Sequence, residues 1–170
     1  MKILFVIDML NDFINPQGKL YIGESGRRII PFIKEKVEYF RREGKVLFIC
    51  DAHSEKDKEF SDWPPHAIKG TWGSQVIKEL EPKEEDLIIG KETYDGFIGT
   101  DLEEILKGLS PKEIYVVGVL TNICVLYTSA HAKMLGYDVK VYKDGCASIS
   151  NDKHTWALKE MEESLKIEIL

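Results

Sequence analysis

The stretch Glu113-Ile114-Tyr115-Val116-Val117-Gly118-Val119-Leu120-Thr121-Asn122-Ile123-Cys124 decides the fold. An apolar, β-branched run reads as a strand and passes directly into a helix start, where Thr121 and Asn122 are both good N-cap residues. The partial positive charge of a helix start favours thiolate over thiol, which makes Cys124 a candidate nucleophile.

Outward from this segment, short apolar runs alternate with longer amphipathic ones. Strands are predicted at Lys2–Ile7, Lys45–Cys50, Asp86–Ile89, Glu113–Gly118, Asp138–Tyr142 and Lys166–Ile169. Helices are predicted over Arg27–Arg42, Ser74–Leu80, Thr100–Leu109, Asn122–Leu135 and Asp152–Ser164, with Gly44, Gly108 and Gly136 as their stops. This rhythm predicts an α/β fold: a doubly wound, mainly parallel six-stranded sheet with helices on both faces, a Rossmann-type three-layer architecture. A chain of 170 residues that is 44% hydrophobic sustains one substantial core, so a single domain over 1–170 is expected. The loop from Asp51 to Thr71 is too long for an ordinary crossover and reads as functional.

Composition narrows the function. A net charge of −6, with 23 basic and 29 acidic residues well mixed, argues against nucleic acid and favours a small-molecule partner. No apolar run approaches membrane-spanning length, and the N-terminal run is too short for a signal-peptide core. Three widely spaced cysteines, Cys50, Cys124 and Cys146, suit a reducing compartment, so the cytoplasm is expected. The first strand ends in Asp8-Met9-Leu10-Asn11-Asp12-Phe13, without the glycine fingerprint of dinucleotide binding, and no phosphate-binding loop occurs.

In open parallel sheets, ligands collect beyond the carboxyl ends of the strands. Asp8, Asp51 with His53, Lys91 and the Cys124 segment all fall there. A free cysteine is most often a small apolar core residue, and Cys50 and Cys146 fit that description. Cys124 differs in its position and in the carboxylate and ammonium available nearby: a thiol, a carboxylate to take its proton and a lysine to fix that carboxylate form a set suited to acyl transfer. Asp51 and His53, two apart after a strand, together with His66, are suitable ligands for zinc or another divalent metal; two surface histidines in a polar loop are the plain alternative. His131 and His154 read as surface or packing residues. Phe13, Trp63 and Tyr94 offer an apolar slot for a flat ring, while Phe97 reads as packing.

The chain resembles the cysteine-hydrolase superfamily that includes isochorismatases, and within it the nicotinamidases (pyrazinamidases). The resemblance runs through Asp8–Phe13, Gly18-Lys19-Leu20, Asp51-Ala52-His53, Pro64-Pro65-His66, Lys91-Glu92-Thr93-Tyr94, Gly118–Val125 and His154–Leu158. It implies an isochorismatase-like fold and a metal-assisted cysteine amidase that hydrolyses nicotinamide to nicotinate and ammonia through a thioester. Cys124 would be the nucleophile, Asp8 its base and Lys91 the holder of that base. The backbone amides of Leu120 and Cys124 would form the oxyanion hole, beside a non-proline cis peptide at Val119–Leu120. The metal, zinc with iron or manganese as alternatives, would sit on Asp51, His53 and His66, with Glu59 at the position where some members add a ligand. Superfamily habit implies a homo-oligomer. Asp95-Gly96 departs from the Ser-Ala of many relatives, which leaves open another small amide or ureide as substrate. Isochorismatase chemistry, which does not need the cysteine, and a redox or binding module with a sensor thiol are the remaining alternatives.

Overall fold

The computed structural model describes residues 1–170. Six strands form one wholly parallel sheet: β1 (Lys2–Ile7), β2 (Lys45–Asp51), β3 (Leu87–Lys91), β4 (Glu113–Val119), β5 (Val139–Ala147) and β6 (Glu168–Ile169). Their spatial order is β3-β2-β1-β4-β5-β6. The chain therefore winds outward from β1 in one direction, then returns to lay β4 against its other side. Alternate residues of the central strands serve two cores. Leu4, Val6, Phe48 and Val117 face one layer, and Ile3, Phe5, Ile7, Leu47 and Val116 face the other. A strand buried on both sides is apolar throughout, which is why these segments lack alternation.

The first layer holds the short helices α1 (Asn11–Ile14) and α2 (Glu24–Arg28) and the long α3 (Ile30–Glu43). Helix α3 buries Ile30, Ile33, Val37 and Phe40, a stripe at three- and four-residue spacing. The helix predicted over Arg27–Arg42 is two helices. Pro31 has no N–H, and its ring collides with the carbonyl four residues back, so α3 starts afresh at Ile30. The second layer holds α4 (Leu102–Leu109), α5 (Leu126–Met134) and α6 (Asn151–Glu163), the last capped by the Ser150 hydroxyl, which accepts from Lys153 N. Gly108 is not a stop: α4 runs past it and ends where Ser110 turns left-handed at φ 47°.

The predicted helix Ser74–Leu80 does not form. Its backbone is committed to the segment after β1: Asn11 N donates to Gln75 O, Ile77 N donates to Met9 O, and Leu10 and Val76 form an antiparallel bridge. The crossover from β2 to β3 thus contains only short 3₁₀ turns and stands as a wall over the strand ends.

Register aligns those ends. Ile7 pairs with Ile49 on one side and with Gly118 on the other, and Asp51 pairs with Lys91. Gly118 has φ 125°, and a Cβ there would lie 2.0 Å from Ile7 O. Gly118→Ala is expected to cost about 3 kcal/mol or more, through strain and collision together. In contrast, Gly108→Ala, on an exposed helical turn with open space around it, is expected to stabilise by about 0.5–1 kcal/mol. Urea unfolding of the two variants measures both.

Candidate active site

Asp8 follows β1 with φ 52°, a left-handed conformation that aspartate tolerates better than most residues. Its N–H donates to Ile49 O and its carbonyl accepts from Leu10 N, so the side chain is held at the sheet rim. Asp8 Oδ1 accepts from Asp51 N at 2.8 Å, and Oδ2 accepts from Lys91 Nζ at 2.9 Å. Lys91, the last residue of β3, is only 1% exposed. Its ammonium also donates to Asp51 Oδ1 and lies 3.5 Å from Cys124 Sγ. The sulfur, an Asp8 oxygen and an Asp51 oxygen all lie within 4.8 Å of one another. Thiol, acid and amine from three separated segments therefore meet.

The electrostatics follow from burial. Burial lowers the pKa of Lys91, but the charges of Asp51 and Asp8 outweigh it and hold the ammonium well above the range of a free lysine. Burial, then the charge of Asp51, push Asp8 up to about 6 against the pull of Lys91. Burial also raises the Cys124 thiol well above its usual value; Lys91 opposes the rise and the two carboxylates add to it. The expected N-cap role of Thr121 and Asn122 is corrected. Residues Thr121–Val125 form a π-helical turn whose N-cap is Leu120, neither Thr121 nor Asn122 caps it with its side chain, and burial decides the protonation. At neutral pH Cys124 is a thiol beside a carboxylate able to take its proton. The Val119–Leu120 peptide bond is cis.

The same rim carries a second group. His53 N donates to Ala67 O and His53 O accepts from Lys69 N, so a parallel bridge to Ile68 folds the long loop back on itself. That closure brings the rings of His53 and His66 to 4.8 Å, with Asp51 alongside: His53 Nε2 stands 3.6 Å and His66 Nε2 3.8 Å from Asp51 Oδ2. These separations are too long for hydrogen bonds, and His53 Nε2, fully buried, has no other partner. Burial lowers the pKa of His53, but Asp51 and Asp57 prevail and raise it to about 9. The site holds on to positive charge. Two imidazoles and a carboxylate, with orphaned nitrogen converging on one point, fit a divalent metal. Glu59 Oε1 is 3.8 Å from His66 Nε2, at the edge of this group.

A cavity of about 270 Å³ opens above both groups, with Asp8, Asp51, Glu59, His66 and Cys124 on its surface. Phe13, Trp63 and Tyr94 all line it, and Trp63 Nε1 donates to the Tyr94 hydroxyl at 3.0 Å. Phe97 packs against the His131 ring in the core instead. Leu20, Tyr21, Ile22, Ile123 and Ile149 add to the wall, beside Lys19, Val119 and Leu120; nothing in the spacing of the first five marked them as pocket residues. The volume falls below the roughly 300–1,000 Å³ usual for drug-sized ligands and suits a small, largely apolar substrate.

Residues 2–167 match the isochorismatase domain. The chain belongs to the isochorismatase family. An isochorismatase family protein of Bacillus subtilis named PncA is 36% identical, covering 99% of this chain and 98% of the relative. Among solved isochorismatase-family structures, the nicotinamidase PncA of Bacillus subtilis superposes with TM-score 0.93 at 31% identity, covering 99% of this chain and 98% of that one. The pyrazinamidase of Pyrococcus horikoshii in complex with zinc gives TM-score 0.92 at 33% identity, with the same coverage. The three-layer arrangement described above is the fold of this family.

Several supporting residues escaped the sequence reading. Asp12 is buried and ties two walls together, accepting from Ala67 N at 2.8 Å and from Lys19 N at 3.0 Å. His154 Nδ1 meets the Thr121 hydroxyl at 2.8 Å, at the start of the Cys124 turn. His131 pairs with Asp95 at 2.6 Å, tying the segment that carries Tyr94 to α5. Their partners lie 33 to 55 residues away wherever the turn or pocket depends on them, except the seven-residue Asp12–Lys19 contact. Lys91→Met is expected to destabilise by about 3–5 kcal/mol, since it leaves two buried carboxylates facing each other. Urea unfolding tests this, and a loss below about 1 kcal/mol would contradict the central place given to the ammonium.

Proposed function

We propose that this chain is a cysteine amidohydrolase, a single working domain over 1–170, that hydrolyses nicotinamide or a close aromatic carboxamide to the acid and ammonia. The observation that carries the reading is the shared position of Lys91, bonded to Asp8 and Asp51 and 3.5 Å from Cys124 Sγ, beneath a small apolar cavity. The relatives named nicotinamidase and pyrazinamidase support the choice of substrate.

Asp51, His53 and His66 would hold a divalent ion, zinc being favoured by the donor set and by the zinc complex of the Pyrococcus relative. Glu59, at the edge of that group, would add an oxygen donor. When bound, the ion supplies a Lewis-acid site for a ring nitrogen and so fixes the ring's orientation.

Phe13, Trp63 and Tyr94 hold the ring and exclude water, leaving the carboxamide over Cys124. Asp8 accepts the thiol proton as sulfur bonds to the amide carbon. The oxygen of the resulting tetrahedral adduct takes hydrogen bonds from the backbone N–H groups of Leu120 and Cys124, each such donor contributing about 3 kcal/mol. Asp8 then returns the proton to nitrogen, the C–N bond breaks and ammonia leaves a thioester. Water attacks that thioester while Asp8 takes its proton; the sulfur leaves, regaining a proton, and the carboxylic acid departs. Lys91 keeps Asp8 oriented and favours its ionised form at the start of each half-reaction, because burial otherwise favours the protonated acid.

Ammonia release from nicotinamide by zinc-loaded protein is the direct test. Cys124→Ala is expected to lower turnover by at least about 10⁴-fold while remaining folded; near-normal turnover in that variant would refute the nucleophile. Stripping the metal with a chelator is expected to lower kcat/KM by about 100-fold through lost positioning, with recovery on adding zinc. Unchanged activity after complete removal would refute the metal's role.

A further inference from the structure

One buried carboxylate beside the metal-binding group takes no part in the chemistry above. Asp57 lies in the loop between His53 and His66, its side chain only 5% exposed. Its Oδ2 is 3.0 Å from His53 Nδ1, and its Oδ1 accepts from Glu59 N at 2.8 Å. An ionised carboxylate only accepts, so the histidine nitrogen facing it carries the proton. His66 is fixed in the same sense by a different partner: its Nδ1 lies 2.8 Å from Pro64 O, also a pure acceptor. Both rings therefore turn Nε2 toward Asp51.

We infer that Asp57 is a positioning residue for the metal centre, holding His53 with Nε2 directed at the ion while its other oxygen caps the turn that presents Glu59. The geometry supports both halves. Asp57 is the N-cap of the 3₁₀ turn Lys58–Ser61, and that turn sets Phe60 against the rings of both His53 and His66, at 5.4 and 5.7 Å. The carboxylate thus orients one ligand directly and closes an aromatic shelf beneath both. A carboxylate behind a metal-binding histidine fixes its tautomer and strengthens it as a donor, and loss of such a partner usually weakens metal affinity 10- to 100-fold. Asp57 does not line the substrate cavity, so its effect on the metal passes through His53 and, by way of the cap, through Glu59. This role presupposes the metal centre proposed above.

Zinc affinity of the metal-stripped full chain, measured by competition with a chromophoric chelator, separates the possibilities. Asp57→Ser keeps a hydroxyl able to cap Glu59 N but is too short to reach His53. Its zinc dissociation constant is expected to rise 10- to 100-fold, with a metal-free circular dichroism spectrum like that of the wild type. Asp57→Ala, which also removes the cap, is expected to weaken zinc binding at least as much. Wild-type affinity in the serine variant, whether or not the alanine variant loses affinity, would overturn the role and leave Asp57 as a turn cap only. A wild-type chain that binds no zinc would refute the metal centre itself, and the role of Asp57 with it.

Discussion

A lysine ammonium sealed between two carboxylates is the constraint on which the rest of the structure depends. Lys91, Asp8 and Asp51 are each almost fully buried, and none tolerates burial alone. Together they carry one negative charge in excess, which makes the rim receptive to a cation; against burial, Asp51 raises the pKa of both histidines, helped by Asp57 at His53 and by the Pro64 carbonyl at His66. The parallel register of β1, β2 and β3 is what brings the three side chains to one height. The proposed base and the proposed metal ligand are therefore not independent. They share a counter-ion, so a change in the charge at Asp51 is felt at Asp8.

Around this centre the chain uses backbone bonds rather than helices to build its walls. The His53–Ile68 bridge closes the loop carrying His66, and the pairing of residues 75–77 with residues 9–11 anchors the far end of the same crossover. Asp12 joins the two, reaching Ala67 on one side and Lys19 on the other. Such bonds have no period in sequence. They stabilise an irregular surface whose shape follows the substrate cavity rather than a helical repeat.

That difference explains what the sequence revealed. The sheet was legible because strands covered on both faces are apolar runs with few competing interpretations, and the proposed reacting groups were legible because Asp8 and Lys91 sit at strand ends and Cys124 in the turn that follows β4. Pro31 carried the signal that splits α2 from α3. By contrast, Ser74–Leu80 has helix-forming residues, and only its distant partners around Leu10 draw it into another conformation. The capping of the Cys124 turn was misread because Thr121 and Asn122 carry the side chains usual at N-caps, whereas the π-helical turn that starts at Leu120 leaves no mark in sequence. Asp57 and Asp12 were missed, and His154 was read as a surface or packing residue, for a related reason: a polar side chain in a loop or on a helix looks the same in sequence whether solvated or locked onto a neighbour.

The crossover between β2 and β3 also separates two properties of the protein. Glu59, Trp63 and His66 on the cavity wall belong to a segment that crosses the sheet's edge without an α-helix, whereas Asp8 and Cys124 follow β1 and β4 at its centre. Lengthening or recasting that segment would leave the central strands in place. One part of the wall can thus be exchanged without disturbing the proposed base and nucleophile, while the rest of the lining travels on the same stretches of polypeptide as those two residues.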